Sequence, residues 1–236
     1  MLRLNITLAS LCLAALPACA QKGPGALDSL EGEFVARGNE PGWRVTVGAD
    51  QVDIVAAYGE DERSTTRSAT QLTDMGQTLE MPQINARLSV EDQLCRDDMS
   101  GMPYPNRAVL TLDGAEFRGC AGEARSLLTG DTWQIEDVMG GGMVDGAEVT
   151  IGFDAEGRAF GRAACNRFSG GYALTGEGIS FGPMAATKMA CPPALMDLET
   201  KVFEALGQVR RFDFDDTGAL LLIGGPEGKA LLTARR

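Results

Sequence analysis

The sequence predicts a mainly β fold with one α-helix near its C-terminal end, arranged as two small barrel-like or sandwich-like domains. Three observations support this prediction. Short runs alternate apolar with polar or small residues, 30 glycines supply turns between them, and one stretch repeats its apolar residues every three or four positions. A chain of 236 residues is long enough for one large or two small domains.

A β-rich N-terminal domain is predicted over residues 28–124. Its strand-like runs alternate apolar and polar side chains and are separated by turn residues, as expected for strands with one buried face. These runs cover 33–37, 43–47, 52–55, 84–90, 108–112 and 116–120.

A second domain is predicted over residues 125–236 and opens with the segment 127–133. Its predicted strands cover 149–153, 158–163, 172–174, 179–181, 212–214, 219–223 and 229–234. Between them, helical spacing relates Leu195, Leu198, Val202, Leu206 and Val209, with Phe203 on the flank. Pro192 and Pro193 stand where a helix start tolerates proline.

The N-terminus is typical of a lipoprotein signal. Arg3 precedes a short apolar stretch that ends at Leu16-Pro17-Ala18-Cys19, which predicts a signal peptide over 1–18, lipidation of Cys19 and a tether over 19–27. The alternative is an ordinary secretory signal cut after Ala18 or Ala20. By resemblance to Gram-negative lipoproteins, we expect a lipid anchor in the outer membrane and a body on its periplasmic face.

Charge and composition exclude some functions. The formal net charge is −12, with −10 of it in residues 28–124, which argues against nucleic acid and anionic membrane surfaces as partners. The simplest interpretation of the negative charge is a surface that keeps the protein soluble. The more specific alternative is that it binds a cationic partner. The chain contains no histidine, so it lacks the commonest general base and metal ligand. We expect no cofactor and no metal site.

Six cysteines divide by position. Cys12 lies in the signal and Cys19 is the lipid acceptor, which leaves Cys95, Cys120, Cys165 and Cys191 for an oxidising compartment. Four cysteines allow three pairings. We favour Cys95–Cys120 and Cys165–Cys191, because each closes a local loop inside one predicted domain.

The C-terminal region resembles the META domain of the HslJ family. The resemblance is carried by four sequence motifs in the family's order. They are Leu128-x-Gly130-x-x-Trp133, Gly161-x-x-x-Cys165-Asn166-Arg167-Phe168-Ser169-Gly170-Gly171-Tyr172, Thr187-Lys188-Met189-Ala190-Cys191-Pro192, and Glu199 in the predicted helix. Ala164 departs from the glycine that the family often has there. The resemblance implies a β-rich fold and a role in envelope stress or antibiotic tolerance, without catalytic activity.

The N-terminal region resembles a domain found in front of META in envelope lipoproteins. The motifs that carry this resemblance are Phe34-x-Ala36-x-Gly38-Asn39-Glu40-Pro41-Gly42-Trp43, Cys95-x-Asp97-x-Met99-Ser100-Gly101 and Gly119-Cys120.

Two groups of residues are candidates for binding. In the C-terminal domain they are Asn166, Arg167, Ser169, Tyr172, Thr187 and Lys188, which would form a rim beside a Cys165–Cys191 bridge. The alternative is a turn capped by Asn166 and pinned by the disulfide. In the N-terminal domain they are Glu40, Trp43, Asp97 and Asp98, where carboxylates near an aromatic ring could hold a cation or a sugar. The alternative is a turn at Pro41 beside a core tryptophan.

The favoured hypothesis is a non-enzymatic, membrane-anchored lipoprotein that binds an envelope component or a small molecule. The second hypothesis is an inhibitor of a basic periplasmic enzyme such as a lysozyme, because a small acidic disulfide-bonded domain suits such a partner. The third is a carboxylate-based hydrolase of envelope glycans, because the spacing of the many Asp and Glu residues is compatible with a catalytic pair. Their abundance makes this a weak signal.

Overall fold

The computed structural model describes residues 33–236. The predicted signal peptide, the lipidated Cys19 and the tether over 19–27 lie outside the described residues.

Residues 34–121 form antiparallel β structure. Nine strands make one sheet in the order β4-β3-β2-β1-β11-β10-β7-β6-β5, and β8 pairs with β9 in a separate small hairpin. The strands are β1 (Phe34–Asn39), β2 (Gly42–Val47), β3 (Gln51–Ala56), β4 (Asp61–Thr66), β5 (Thr70–Leu72), β6 (Gly76–Met81), β7 (Ala86–Glu91), β8 (Cys95–Arg96), β9 (Pro103–Tyr104), β10 (Asn106–Leu112) and β11 (Ala115–Ala121).

One face of this sheet supplies the apolar core. Strand β2 shows the pattern, because Trp43, Val45 and Val47 are buried while Arg44 between them is exposed. Successive side chains of a strand point to opposite faces, so alternation in the sequence becomes one apolar and one polar face. The polar face remains available for a site.

The predicted strands of this region are present, with one corrected boundary and five additions. The predicted run 84–90 starts at Ala86, because Pro82–Ile84 form a 3₁₀ turn that ends at Asn85 with φ +50°. Strands β4, β5, β6, β8 and β9 were not predicted.

Residues 133–235 form a second antiparallel sheet, in the order β16-β15-β14-β13-β12-β19-β18-β17. Its edge strands β16 and β17 lie against each other, so the sheet curls toward closure. The elements are β12 (Trp133–Val138), β13 (Glu148–Phe153), β14 (Arg158–Ala164), β15 (Asn166–Thr175), β16 (Gly178–Ala186), α1 (Pro193–Gln208), β17 (Val209–Phe214), β18 (Leu220–Gly224) and β19 (Lys229–Arg235).

Helix α1 packs against the curled sheet and contacts β12, β14, β16 and β19. Its buried apolar residues include Leu198, Val202 and Leu206, and Pro193 occupies its first turn, so the predicted helix is confirmed. Val209, which was predicted as its last apolar residue, has extended backbone and begins β17 instead. No helix within residues 33–236 is both long enough and apolar enough to cross a membrane.

The fold prediction is confirmed as mainly β with one α-helix in the described chain. The predicted strands 172–174 and 179–181 are parts of the longer strands β15 and β16. Gly170 and Gly171 suggest a turn in the sequence, but they lie within β15, where the pairing with β16 is irregular. The predicted boundary between residues 124 and 125 falls between the two sheets, and the independence of the two domains stays a prediction.

Gly119 of β11 is a position where only glycine fits, because the Arg37 carbonyl of β1 and the Trp43 indole both lie against it. A Cβ on Gly119 would lie 2.0 Å from the Arg37 carbonyl oxygen and 2.8 Å from Trp43 Cζ2. We therefore expect Gly119→Ala to lower the free energy of unfolding by about 1–3 kcal/mol, measured by urea denaturation.

Gly207 in helix α1 is the control for this prediction. A Cβ there meets no atom within 4 Å. Because glycine weakens a helix, Gly207→Ala should raise the free energy of unfolding by about 0.5–1 kcal/mol. Equal effects of the two substitutions would contradict the close approach of Arg37 and Trp43 to Gly119.

A candidate binding groove on the N-terminal sheet

Asn166 is the centre of a buried polar clamp in the C-terminal half. Its backbone amide and its Nδ2 donate to the two carboxylate oxygens of Glu199 in α1, at 2.9 and 3.1 Å. Its Oδ1 accepts from Thr187 Oγ1 and from the Met189 amide, both at 2.8 Å. Asn166 is 1% exposed and Glu199 is 8% exposed. The clamp therefore ties strand β15, the segment before α1 and the helix itself together.

The other residues that were predicted to form a binding rim with Asn166 do not all lie beside it. Arg167 is exposed and joins Thr187 through its backbone. Ser169 and Lys188 are exposed at the surface. Tyr172 turns inward, packs edge-on against the Phe153 ring and donates from its hydroxyl to the Asp154 carbonyl. The structure thus brings Asn166, Arg167 and Thr187 together and leaves Ser169, Tyr172 and Lys188 apart from them.

Both predicted disulfides are present. Cys165–Cys191 joins the start of β15 to the residues before α1, and Cys95–Cys120 joins β8 to β11.

The turn into β15 is at Ala164, which has φ +62°. Glycine adopts this left-handed conformation without strain, which accounts for the glycine that the family often has there.

The four binding residues predicted in the N-terminal domain, Glu40, Trp43, Asp97 and Asp98, do not form one cluster either. Trp43 is buried, and its Nε1 donates to the Arg118 carbonyl at 3.2 Å. Glu40 is exposed. Asp97 and Asp98 come together through the Asn39 amide, which donates to both carboxylates.

Asp97 is a structural carboxylate that organises its own turn. It accepts from the Ser100 amide, the Ser100 hydroxyl and the Met99 amide, at 2.8, 2.8 and 3.1 Å. Burial by itself would raise the pKa of Asp97, but the hydrogen bonds from Ser100, Asn39 and Met99 outweigh it and hold the pKa below its usual value. This carboxylate is therefore already occupied by its neighbours.

A groove of about 760 Å³ lies on the face of the N-terminal sheet that points away from the core. Its floor comes from three adjacent strands, β7, β10 and β11, and the sheet register arranges nine outward residues as a three-by-three grid. Across the strands, the three rows are Glu91, Arg107, Cys120; Ser89, Val109, Arg118; and Arg87, Thr111, Glu116. Val109 is therefore the apolar centre of a polar and charged floor.

The wall of the groove is the segment 94–98, which the Cys95–Cys120 disulfide attaches to β11. Arg96 of this wall reaches the other sheet. Its Nε donates to the Asp213 carboxylate at 2.9 and 3.0 Å, and its Nη2 donates to the Phe214 carbonyl at 2.8 Å. The wall is thus held from both halves of the chain.

Arginines are concentrated in this groove. Residues 28–124 contain eight arginines and 18 acidic residues, and the groove is lined by four of each, so it takes half of the arginines and under a quarter of the acids. In a region of net charge −10, this face therefore differs from the rest of the surface.

Several groove charges are already paired. Arg96 is bound to Asp213, and Arg87 Nε lies 3.6 Å from a Glu80 oxygen. Asp97 and Asp98 have no ion pair, but both accept hydrogen bonds from the Asn39 amide. The groove charges with neither an ion pair nor a side-chain hydrogen bond among residues 33–236 are Arg107, Arg118, Glu91 and Glu116. These four side chains can form new ion pairs with a ligand, and the Ser89 and Thr111 hydroxyls can add hydrogen bonds.

The acidic and cysteine side chains can also be considered as possible metal ligands. Within the described part of the chain, no three Cys, Asp or Glu side chains converge in a way that could hold a metal ion. The chemistry that the groove offers is recognition by charge and hydrogen bonding.

Comparison with known proteins identifies the C-terminal half. The family model described as META domain matches residues 126–236. An NMR structure of a protein from Burkholderia xenovorans is 26% identical over 48% of this chain and 86% of that chain, with a TM-score of 0.39. A second NMR structure is 24% identical over 47% of this chain and 91% of its own, with a TM-score of 0.37. No curated protein matches the chain. The C-terminal half of this chain, residues 126–236, belongs to the META domain family.

Proposed function

We propose that this chain is a non-enzymatic lipoprotein, anchored by lipid on Cys19 at the periplasmic face of the outer membrane, that binds a small polar molecule of the envelope. The observation that carries the proposal is the groove on β7, β10 and β11, with two arginines and two glutamates that have no ion pair within the described residues. The volume of the groove lies within the range of about 300–1,000 Å³ that is typical of small-molecule sites, and its lining is more polar than theirs, which suits a polar ligand.

The attachments of the groove wall support the proposal that the groove is a preformed binding site. Segment 94–98 is fixed by a disulfide on one side and by the Arg96–Asp213 ion pair on the other, so the groove keeps its shape before a ligand enters. A preformed site does not have to be ordered when it binds, which leaves more of the interaction free energy for affinity.

Photo-crosslinking from the groove tests this function. A photoreactive phenylalanine analogue in place of Val109, at the centre of the floor, should capture a molecule when intact cells are irradiated. Val55 is the matched control, because it lies on β3 of the same sheet and its side chain is outside the groove. We expect a product by mass spectrometry from position 109 that position 55 does not give.

Identical products from both positions, or no product from position 109, would contradict the proposal. A crosslinked basic protein instead of a small molecule would favour the inhibitor hypothesis over the binding of a small molecule.

A further inference from the structure

We infer that the groove recognises a zwitterionic small molecule, whose carboxylate is bound by Arg107 and Arg118 and whose ammonium group is bound by Glu91 or Glu116. This inference rests on the proposed function and names the ligand class for the same groove.

The cationic part of the site comes from two neighbouring strands. Arg107 on β10 is opposite Cys120, and Arg118 on β11 is opposite Val109, so the two arginines are diagonal neighbours on one face. Diagonal neighbours in an antiparallel pair are about 7–8 Å apart, a distance that long side chains span. Two guanidinium groups can therefore converge on one carboxylate, for which their planar donors are well suited.

The anionic part of the site flanks these arginines. Glu91 on β7 is directly opposite Arg107, and Glu116 precedes Arg118 by two residues on the same face of β11. Both glutamates line the groove, and neither forms an ion pair within the described residues. A ligand carboxylate held by the arginines would thus have a protein carboxylate close to it on either side.

Charge balance favours a zwitterion over a simple anion. Arg87 and Arg96 form ion pairs with protein carboxylates, which leaves two arginines against Glu91, Glu116, Asp97 and Asp98. Asp97 and Asp98 accept hydrogen bonds from the neutral Asn39 amide and keep their charges, so the lining without ion pairs is net negative. A purely anionic ligand would place its charge beside Glu91 and Glu116 without a compensating cation, and like charges at this distance repel. An ammonium group on the ligand converts this repulsion into attraction.

The groove is larger than one amino acid needs. Val109 at its centre offers apolar contact between the charged groups, and Ser89 and Thr111 add hydroxyls beside it. A short peptide or another extended zwitterion would place its charged ends at the two kinds of side chain and its neutral middle on Val109.

Three matched probes test the ligand class. Alanyl-alanine carries both charges, N-acetyl-alanyl-alanine keeps only the carboxylate, and alanyl-alanine amide keeps only the ammonium group. Titrations would follow the side-chain Nε–H signals of the arginines by NMR. We expect alanyl-alanine to shift the signals of Arg107 and Arg118, and each single-charge probe to bind about tenfold more weakly, as the loss of one charge-assisted contact predicts.

Substitutions then assign the charges. Glu91→Gln combined with Glu116→Gln should make alanyl-alanine and its N-acetyl form bind equally. Arg107→Gln combined with Arg118→Gln should make alanyl-alanine and its amide bind equally. Arg44→Gln is the control, because Arg44 is an exposed arginine of the same sheet face that does not line the groove, and it should change none of the affinities.

Two results would overturn the inference. One is binding of N-acetyl-alanyl-alanine as tightly as alanyl-alanine to the unsubstituted protein, and the other is the absence of any shift of Arg107 and Arg118 with alanyl-alanine. If crosslinking from position 109 still captures a small molecule in either case, the ligand class is wrong and the proposed function stands. If crosslinking also fails, both are wrong.

Discussion

Replacing Asn166 by alanine should lower the free energy of unfolding by about 2–4 kcal/mol, because three hydrogen bonds are lost at once and one of them is to the buried Glu199 carboxylate. The substitution removes the Nδ2 donor to Glu199 and the Oδ1 acceptor of Thr187 and of the Met189 amide. Glu199 is almost fully buried, so its carboxylate cannot recover the lost hydrogen bond from bulk water. Urea denaturation with both disulfides intact measures the effect.

Arg167→Ala is the control for this substitution. Arg167 is the next residue, it is exposed, and its hydrogen bonds to Thr187 use backbone atoms that alanine keeps. Its free energy of unfolding should change by less than about 0.5 kcal/mol. A loss below about 1 kcal/mol for Asn166→Ala would mean that the clamp adds little to stability.

Removing the Cys95–Cys120 disulfide by a double alanine substitution should lower the free energy of unfolding by about 3 kcal/mol. It should also release the groove wall, because Cys95 is the covalent attachment of segment 94–98 to β11. Arg96 is exposed, so trypsin should cleave after it much faster in the variant than in the parent protein under native conditions. Mass spectrometry of the fragments identifies the cleaved bond.

The second disulfide provides a matched control. Cys165–Cys191 closes a loop of nearly the same length, with a sequence separation of 26 against 25. Loop entropy therefore predicts a similar loss of stability when it is removed. Trypsin cleavage after Arg96 should stay slow in that variant. Faster cleavage in both variants to the same extent would attribute the effect to general destabilisation and not to the groove wall.

Elements with a regular apolar pattern could be predicted from the sequence. Strand β2 and helix α1 follow their periodicities closely, since each buries one face against a core. Strand β4 was missed because its sequence, Asp61–Thr66, contains only charged and hydroxyl side chains and lies at the edge of its sheet. An edge strand of this kind is specified by its partner and not by its own apolar residues.

The candidate sites differ in the same way. Asn166 and the disulfides belong to short local motifs, so they were visible in the sequence. The predicted residues Asp97 and Asp98 lie in the wall of the groove, but its floor was missed. The floor depends on the register of β7, β10 and β11, and a shift of one residue would turn each of its side chains to the other face. One signal was available, since Arg107, Val109 and Thr111 alternate with the buried residues of the same predicted strand. It shows which residues face outward but not which residues of other strands stand beside them.

The packing of the groove wall affects how this protein can be dissected. Met102 and Tyr104, which follow the wall, are 3% and 5% exposed and belong to the same apolar cluster as Leu128 and Phe212 of the META half. Cutting the chain between residues 124 and 125 would uncover apolar surface on both fragments, and such surfaces promote aggregation. Fragment experiments would then report insolubility as loss of function. Substitutions in the intact chain, such as Asp213→Asn at the ion pair with Arg96, are the better way to separate the roles of the two halves.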